Sequence, residues 1–233
     1  FFKHKTAYEI GVRLVGSEMC IRDRYSDLPI IGALAELCQI DVIAPKYSLA
    51  PEHPAPAAFN DCMAVYREVS RSSVGRLLLA GESAGGNLAV LVAQSAVAEN
   101  IRLPDAMGLL SPGADLRPDS DLFQPTYTLD PTLSPVRMSD VLAAYLPGID
   151  PKDPHVSPIF GDMRGLPPTI ITTGTRDLLL AMCLRTARAM HRANVDVHTR
   201  VWNGLCHVFE FYDDYPESAE SLSEIASFLN GNS

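Results

Sequence analysis

The pattern that most narrows what this chain can fold into is an alternation. From Ile40 onward, short apolar runs are separated by stretches with helical spacing. Asp41–Ala44 is β-branched at its centre, closes on Pro45 and reads as a buried strand. Ala57–Val69 follows as a helix, with Pro56 at its start and Phe59, Met63, Tyr66 and Val69 near one face. Arg76–Ala80 is a second strand, apolar through its middle as strands covered on both faces are. Gly85–Ala98 is a small-residue helix, Ala106–Leu110 a third strand and Thr169–Thr173 a fourth. Leu178–Ala193 reads as a helix, Val195–Trp202 as a strand and Ser218–Leu229 as the last helix. Strands joined in this rhythm must run mostly parallel, so the expected class is α/β, one sheet with helices on both faces.

Ser111–Gly165 interrupts the rhythm with nine prolines, and one helix, Ser139–Tyr145, is expected inside it. Long irregular insertions in compact domains are usually functional. The α/β pattern resumes afterwards without a shift in composition, which favours a lid or binding wall over a linker between domains. Phe123, Tyr127 and Leu146 are candidates for its lining, with ordinary lid packing as the alternative.

Composition excludes several classes. The 233 residues are 47% hydrophobic and 20% charged, enough apolar surface to offset the entropy of ordering. A formal net charge of −9 without a basic run leaves no electrostatic footprint for nucleic acid. No apolar stretch approaches the roughly 20 residues of a membrane helix. Cys20, Cys38, Cys62, Cys183 and Cys206 are odd in number, dispersed and without a CxxC pair. That argues against a disulfide framework or a zinc site, and for reduced thiols in the cytoplasm. No metal is expected, and oligomeric state is not legible.

The chemistry concentrates at Gly81-Glu82-Ser83-Ala84-Gly85, a G-x-S-x-G run between a strand and a helix. That context is what the motif requires. A sharp turn lifts the Ser83 hydroxyl clear of the sheet and sets it at a helix N-terminus, where negative charge is favoured. The Ala84 N–H then points toward an oxyanion hole. The alternative is a small-residue turn without chemistry. A serine needs a base, and the base an orienting carboxylate, in the chain order Ser, acid, His. Asp177 follows the Thr169–Thr173 strand, and His207 follows the next strand in the loop Asn203–His207. Both then lie at strand C-terminal ends, where α/β sheets carry their chemistry. Asp177 could equally cap the helix at Leu178, a use compatible with the first. His4, His53, His155, His191 and His198 fall in loops, a helix or a strand, or before the acid.

Four blocks together resemble the hormone-sensitive-lipase-like family of α/β hydrolases, particularly its bacterial esterases. Tyr47-Ser48-Leu49-Ala50-Pro51-Glu52-His53-Pro54 is similar to the family's YRLAPE-x-P, and Gly81–Asn87 to its GDSAGGN elbow. Asp153–Pro158 is similar to DP-x-x-SP, and Gly204–Phe209 to G-x-x-H-x-F. The resemblance extends from about Ile30 to Leu229. It implies an α/β-hydrolase fold over 25–233, with a cap-like insertion at about 112–165. It implies Ser83 as nucleophile, His207 as base and Asp177 as its orienter. It also implies hydrolysis of small, short-chain esters through an acyl-enzyme, without a cofactor.

Two departures stand out. Glu82 replaces the family's Asp, and the HGG block that supplies further oxyanion donors is absent. In its place, residues 1–24 resemble a stretch that recurs at the ends of unrelated metagenomic protein predictions, where it looks like translated sequencing-adapter DNA. The expectation is a non-native head, with natural sequence from Tyr25 and N-terminal strands missing or replaced. The alternative is a native strand and loop. Ile10, Val12 and Leu14 alternate with Gly11 and Arg13, a period of two. The Ile10–Val15 run could therefore fill the vacant central slot between the Asp41–Ala44 and Arg76–Ala80 strands, with Gly16-Ser17 where the glycines belong. Two other readings stand beside an ester hydrolase: a non-catalytic hydrolase-like binder, and an inactive esterase fragment.

Overall fold

The computed structural model describes residues 10–14, 28–118, 120 and 129–232. Its strands are β1 (Ile10–Leu14), β2 (Asp41–Ile43), β3 (Leu77–Glu82), β4 (Ala106–Leu110), β5 (Thr169–Gly174) and β6 (Val197–Trp202). Its helices are α1 (Leu28–Cys38), α2 (Ala57–Ser72), α3 (Ala84–Ala98), α4 (Pro135–Tyr145), α5 (Leu180–Arg192) and α6 (Pro216–Leu229). The strands form one sheet in the order β2-β1-β3-β4-β5-β6, and every neighbouring pair is parallel. The expected α/β class, with helices on both faces, is the observed one.

Period-two alternation sorts the strand residues between two cores. Leu77 and Leu79 of β3, Met107 and Leu109 of β4 and Ile171 of β5 pack with α2, α3 and α5. Leu78, Ala80, Ala106, Leu110 and Ile170 face the other way, onto α1 and α6. Because both faces are covered, β3, β4 and β5 are buried along their whole lengths. The sheet edges β2 and β6 are only partly buried. α3 is buried nearly all round, which explains why small residues dominate it.

β1 takes the slot expected for it. Ile10 pairs with Asp41 on one side and Leu77 on the other, and Leu14 reaches Gly81. Val15 and Gly16-Ser17 lie outside the described residues. α1 was not legible in the sequence. It buries Ile30, Leu34 and Cys38 at spacings of four, but Ile31, Ala33, Ala35 and Leu37 between them blur the periodicity. α4 begins at Pro135 rather than Ser139, since proline is well placed in a first helical turn. Among the described residues, no helix is long and apolar enough to cross a membrane.

Ile225 on α6 is fully buried against the sheet, within 3.4 Å of where a side chain on Gly108 of β4 would begin. Ile225→Ala is expected to lower stability by about 3 kcal/mol in urea titrations, through lost burial and the cavity left behind. Val74, 82% exposed, is the control, and Val74→Ala should stay within about 0.5 kcal/mol of wild type.

Candidate active site

β3 ends in the bend that presents Ser83. The backbone there has φ 51° and ψ −115°, a strained conformation for a residue with a side chain. Such strain costs on the order of 1–3 kcal/mol and persists only where the surroundings enforce it. Three hydrogen bonds do so: the Ser83 N–H donates to Leu110 O at 2.9 Å, while Ser83 O accepts from Gly113 N at 2.9 Å and Asn87 N at 3.2 Å. The bend also needs bare backbone. A Cβ on Gly81 would stand 2.3 Å from Gly85 O, and one on Gly86 would stand 2.8 Å from Pro112 Cβ. Ala84, the first residue of α3, is at the helix end whose N–H groups lack intrahelical acceptors.

Loops at the C-terminal ends of β5 and β6 bring the other two residues in. They are laced together: Arg176 N donates to Leu205 O at 2.9 Å, and Gly204 N to Thr175 Oγ1 at 2.7 Å. Gly174 lies so close to the second loop that a Cβ there would sit 2.0 Å from Leu205 O. His207 Nε2 is 2.9 Å from Ser83 Oγ, and His207 Nδ1 is 3.0 Å from Asp177 Oδ1. Asp177 also accepts from Leu179 N at 2.8 Å on Oδ1 and from Thr173 Oγ1 at 2.8 Å on Oδ2. The capping role expected for Asp177 is not observed: α5 begins at Leu180 with Leu179 as its N-cap and no side-chain cap bond, and the bond to Leu179 N closes a turn ahead of the helix.

The electrostatics follow from this geometry. Burial favours the neutral form of Asp177. The charge of His207 and hydrogen bonds from His207, Ser111 and the Leu179 amide outweigh it, holding the carboxyl below the usual carboxylate range. Burial likewise works against a charged His207. Asp177, first by its charge and then by its hydrogen bond, with Asp130 after it, outweighs it and pushes the imidazole above its ordinary value.

Ser83 and Ala84 lie at the wall of a pocket of about 730 Å³, counting its open mouth. The rest of the lining is mostly apolar and comes from the Tyr47–Pro54 block, α2, α3, the chain after β4, α4 and the start of α5. Leu49 and Ala50 belong to the Tyr47–Pro54 block, Met138, Leu142 and Tyr145 to α4, and Leu179 and Met182 to the start of α5. The insertion is fastened over the site by Asn87 of α3, whose Nδ2 donates to Gly113 O at 2.8 Å and Val156 O at 2.9 Å. Phe123 and Tyr127 lie outside the described residues. Leu146 packs against the core without lining the pocket, because the lining face of α4 repeats at 138, 142 and 145 and leaves position 146 beside it. That face was readable as an i, i+4, i+7 apolar stripe.

The remaining histidines stand elsewhere. His155 is exposed beside Asp153 at 2.8 Å, and His198 stacks on Phe228 with ring centroids 5.0 Å apart. His4 lies outside the described residues. Among the described residues, no group of three or more His, Cys, Asp or Glu side chains is placed to hold a metal ion.

Residues 14–211 match the family described as alpha/beta hydrolase fold. The chain belongs to the alpha/beta hydrolase family, in its hormone-sensitive-lipase-like esterase branch. An esterase from Acinetobacter venetianus is 32% identical over 199 residues, covering 84% of this chain. An acetyl-hydrolase from Streptomyces hygroscopicus is 31% identical over 219 residues, covering 93%. The chain spans 66% of the Acinetobacter protein and 73% of the Streptomyces one. In three dimensions it is similar to an esterase of the bacterial hormone-sensitive lipase family, with a TM-score of 0.91 at 30% identity. That likeness covers 96% of this hydrolase chain and 76% of the other.

The close approach at Gly81 yields a prediction for this hydrolase. Gly81→Ala is expected to destabilise the fold by about 3 kcal/mol or more, since the methyl meets backbone rather than a movable side chain. An unchanged denaturation midpoint would show that the elbow can shift to admit it.

Proposed function

We propose that this chain hydrolyses small, short-chain carboxylic esters through an acyl-enzyme, with Ser83 as nucleophile, His207 as general base and Asp177 as the group that orients it. The observation that carries this reading is the unbroken relay from Ser83 Oγ to His207 Nε2 and from His207 Nδ1 to Asp177 Oδ1, at one end of an apolar pocket. His207 takes the hydroxyl proton while Ser83 Oγ bonds to the ester carbonyl carbon. The oxygen that gains charge lies toward the Ala84 N–H, at the positive end of α3. Collapse of the tetrahedral adduct breaks the C–O bond to the alcohol, which leaves with the proton from His207. A water molecule, deprotonated by His207, then attacks the acyl carbon and frees the acid and Ser83. The names of the Acinetobacter and Streptomyces relatives support this substrate class. The leucines and methionines that line the pocket suit an acyl chain rather than a charged group. Cys38, Cys62, Cys183 and Cys206 are buried and unpaired, which supports a cytoplasmic site of action.

Ser83→Ala should lower hydrolysis of p-nitrophenyl acetate by a factor on the order of 10⁴–10⁶, and a phosphonate ester should label wild type but not the variant. Wild-type turnover in Ser83→Ala would refute the assignment; a folded wild type that is neither labelled nor active would favour the binder or the inactive fragment.

The pH profile gives an independent check. The base works as neutral imidazole, and its proton affinity is raised, so turnover should fall as pH drops through a value above about 6.5. Asp177→Asn removes the charge that raises it. The acid limb should then move to lower pH while kcat falls by about 10⁴. A limb that stays put in that variant would assign the titration to another group.

A further inference from the structure

Among the buried carboxyls near the relay that the mechanism above leaves unused is Glu210. It lies three residues after His207, in a short 3-10 turn (Phe209–Phe211), and only 1% of it is exposed. Its Oε1 accepts from Thr172 Oγ1 of β5 at 2.7 Å and from Ser221 Oγ of α6 at 2.9 Å. Its Oε2 is buried with no hydrogen-bond partner among the described residues. An ionised carboxylate in that setting would keep half its charge without a donor, a far larger cost than one unused hydroxyl. Of the charged and titratable groups it faces, Asp177 repels a charge there, and the imidazole of His207 is already paired with Asp177 at 3.0 Å. These groups are Asp177 at the end of β5, His207 on its own loop and Cys183 on α5, while β5 and α6 face it with the hydroxyls of Thr172 and Ser221.

We propose that Glu210 is a positioning residue for His207, an uncharged carboxylic acid that ties the base-bearing loop to β5 on one side and α6 on the other. Burial, and far behind it the charge of Asp177, push this carboxyl up, while the bond from Thr172, the backbone amide of Glu210 itself and the bond from Ser221 oppose them less strongly. The tie matters because the loop has little regular structure to hold it. Val208 takes a left-handed φ of 43°, and beyond His207 the loop is held by Ser111 Oγ on Val208 N at 3.2 Å and Ser218 Oγ on Phe209 O at 2.8 Å, while its first half is laced to the acid loop through Gly204 N and Leu205 O. A shift of His207 by an ångström would break its alignment with Ser83, a displacement that can cost about 100-fold in rate.

This inference rests on the Ser83–His207–Asp177 reading, and the Ser83→Ala and labelling experiment decides that reading separately. With it upheld, steady-state kinetics and pH profiles are compared for the full chain carrying Glu210→Gln, Glu210→Ala or Thr172→Val with Ser221→Ala. Gln mimics the protonated acid and keeps an acceptor for both hydroxyls. Glu210→Gln should therefore stay within about twofold of wild-type kcat with an unmoved acid limb. Glu210→Ala, and the Thr172→Val/Ser221→Ala pair, should lower kcat roughly 10- to 100-fold with little change in KM. An acid limb that moves down in Glu210→Gln would show a charged Glu210 and overturn the proposal. Wild-type kcat in folded Glu210→Ala would overturn it too, as would wild-type kcat in the double variant if Glu210→Ala does not fold.

Discussion

The structure turns on the close packing of β3 against the start of α3. Gly81 and Gly85 touch backbone to backbone, at a separation no side chain could share. This contact lets the chain reverse within two residues, from the last paired position of a central strand into a buried helix. It imposes the strained φ on Ser83, and the hydrogen bonds from Gly113 and Asn87 hold that strain in place. The same two partners connect the elbow to the insertion, because Asn87 also reaches Gly113 O and Val156 O. Serine position, helix entry and cap attachment are thus one packing problem with one solution.

A parallel sheet covered on both faces makes the rest of the site nearly automatic. Loops that leave β3, β5 and β6 emerge at the same sheet edge, so residues far apart in sequence converge there. What topology does not supply is fine alignment. That comes from lacing between neighbouring loops, where Gly174 lets the acid loop press against Leu205 and Thr175 and Arg176 bond across.

How much of this could be read in the sequence depended on whether a signal was local. The elbow is a five-residue motif whose glycines have a steric reason, so Ser83 and Ala84 were legible. Asp177 and His207 were legible because strand ends and chain order restrict the choices. Alternation marked β1 as a strand and the family resemblance supplied its slot, and its pairing on both sides agrees. α1 was not, since apolar residues on its exposed side hid the stripe formed by Ile30, Leu34 and Cys38. Leu146 falls outside the pocket wall because helical phase puts Met138, Leu142 and Tyr145 on the lining face. Glu210 gave no signal, for its burial depends on contacts to Thr172 and Ser221 that only the tertiary fold creates.

Three acidic side chains surround one imidazole, and the count of donors each receives separates their roles. Asp177 receives bonds from His207, Leu179 and Thr173 and so is stable as an anion against the ring it must orient. Asp130, from the insertion, accepts from Thr132 N, Thr132 Oγ1, Leu133 N and Leu178 N, so it fastens the cap to the residue next to Asp177 while adding negative potential at His207. Glu210 receives two neutral hydroxyl donors on a single oxygen and none on the other. With Asp177 and Asp130 already adding negative potential at the ring, a further full charge there would overstabilise imidazolium. That would hold His207 protonated, and an imidazolium cannot accept the Ser83 proton. In the roles proposed, an uncharged Glu210 would anchor the loop without holding His207 protonated.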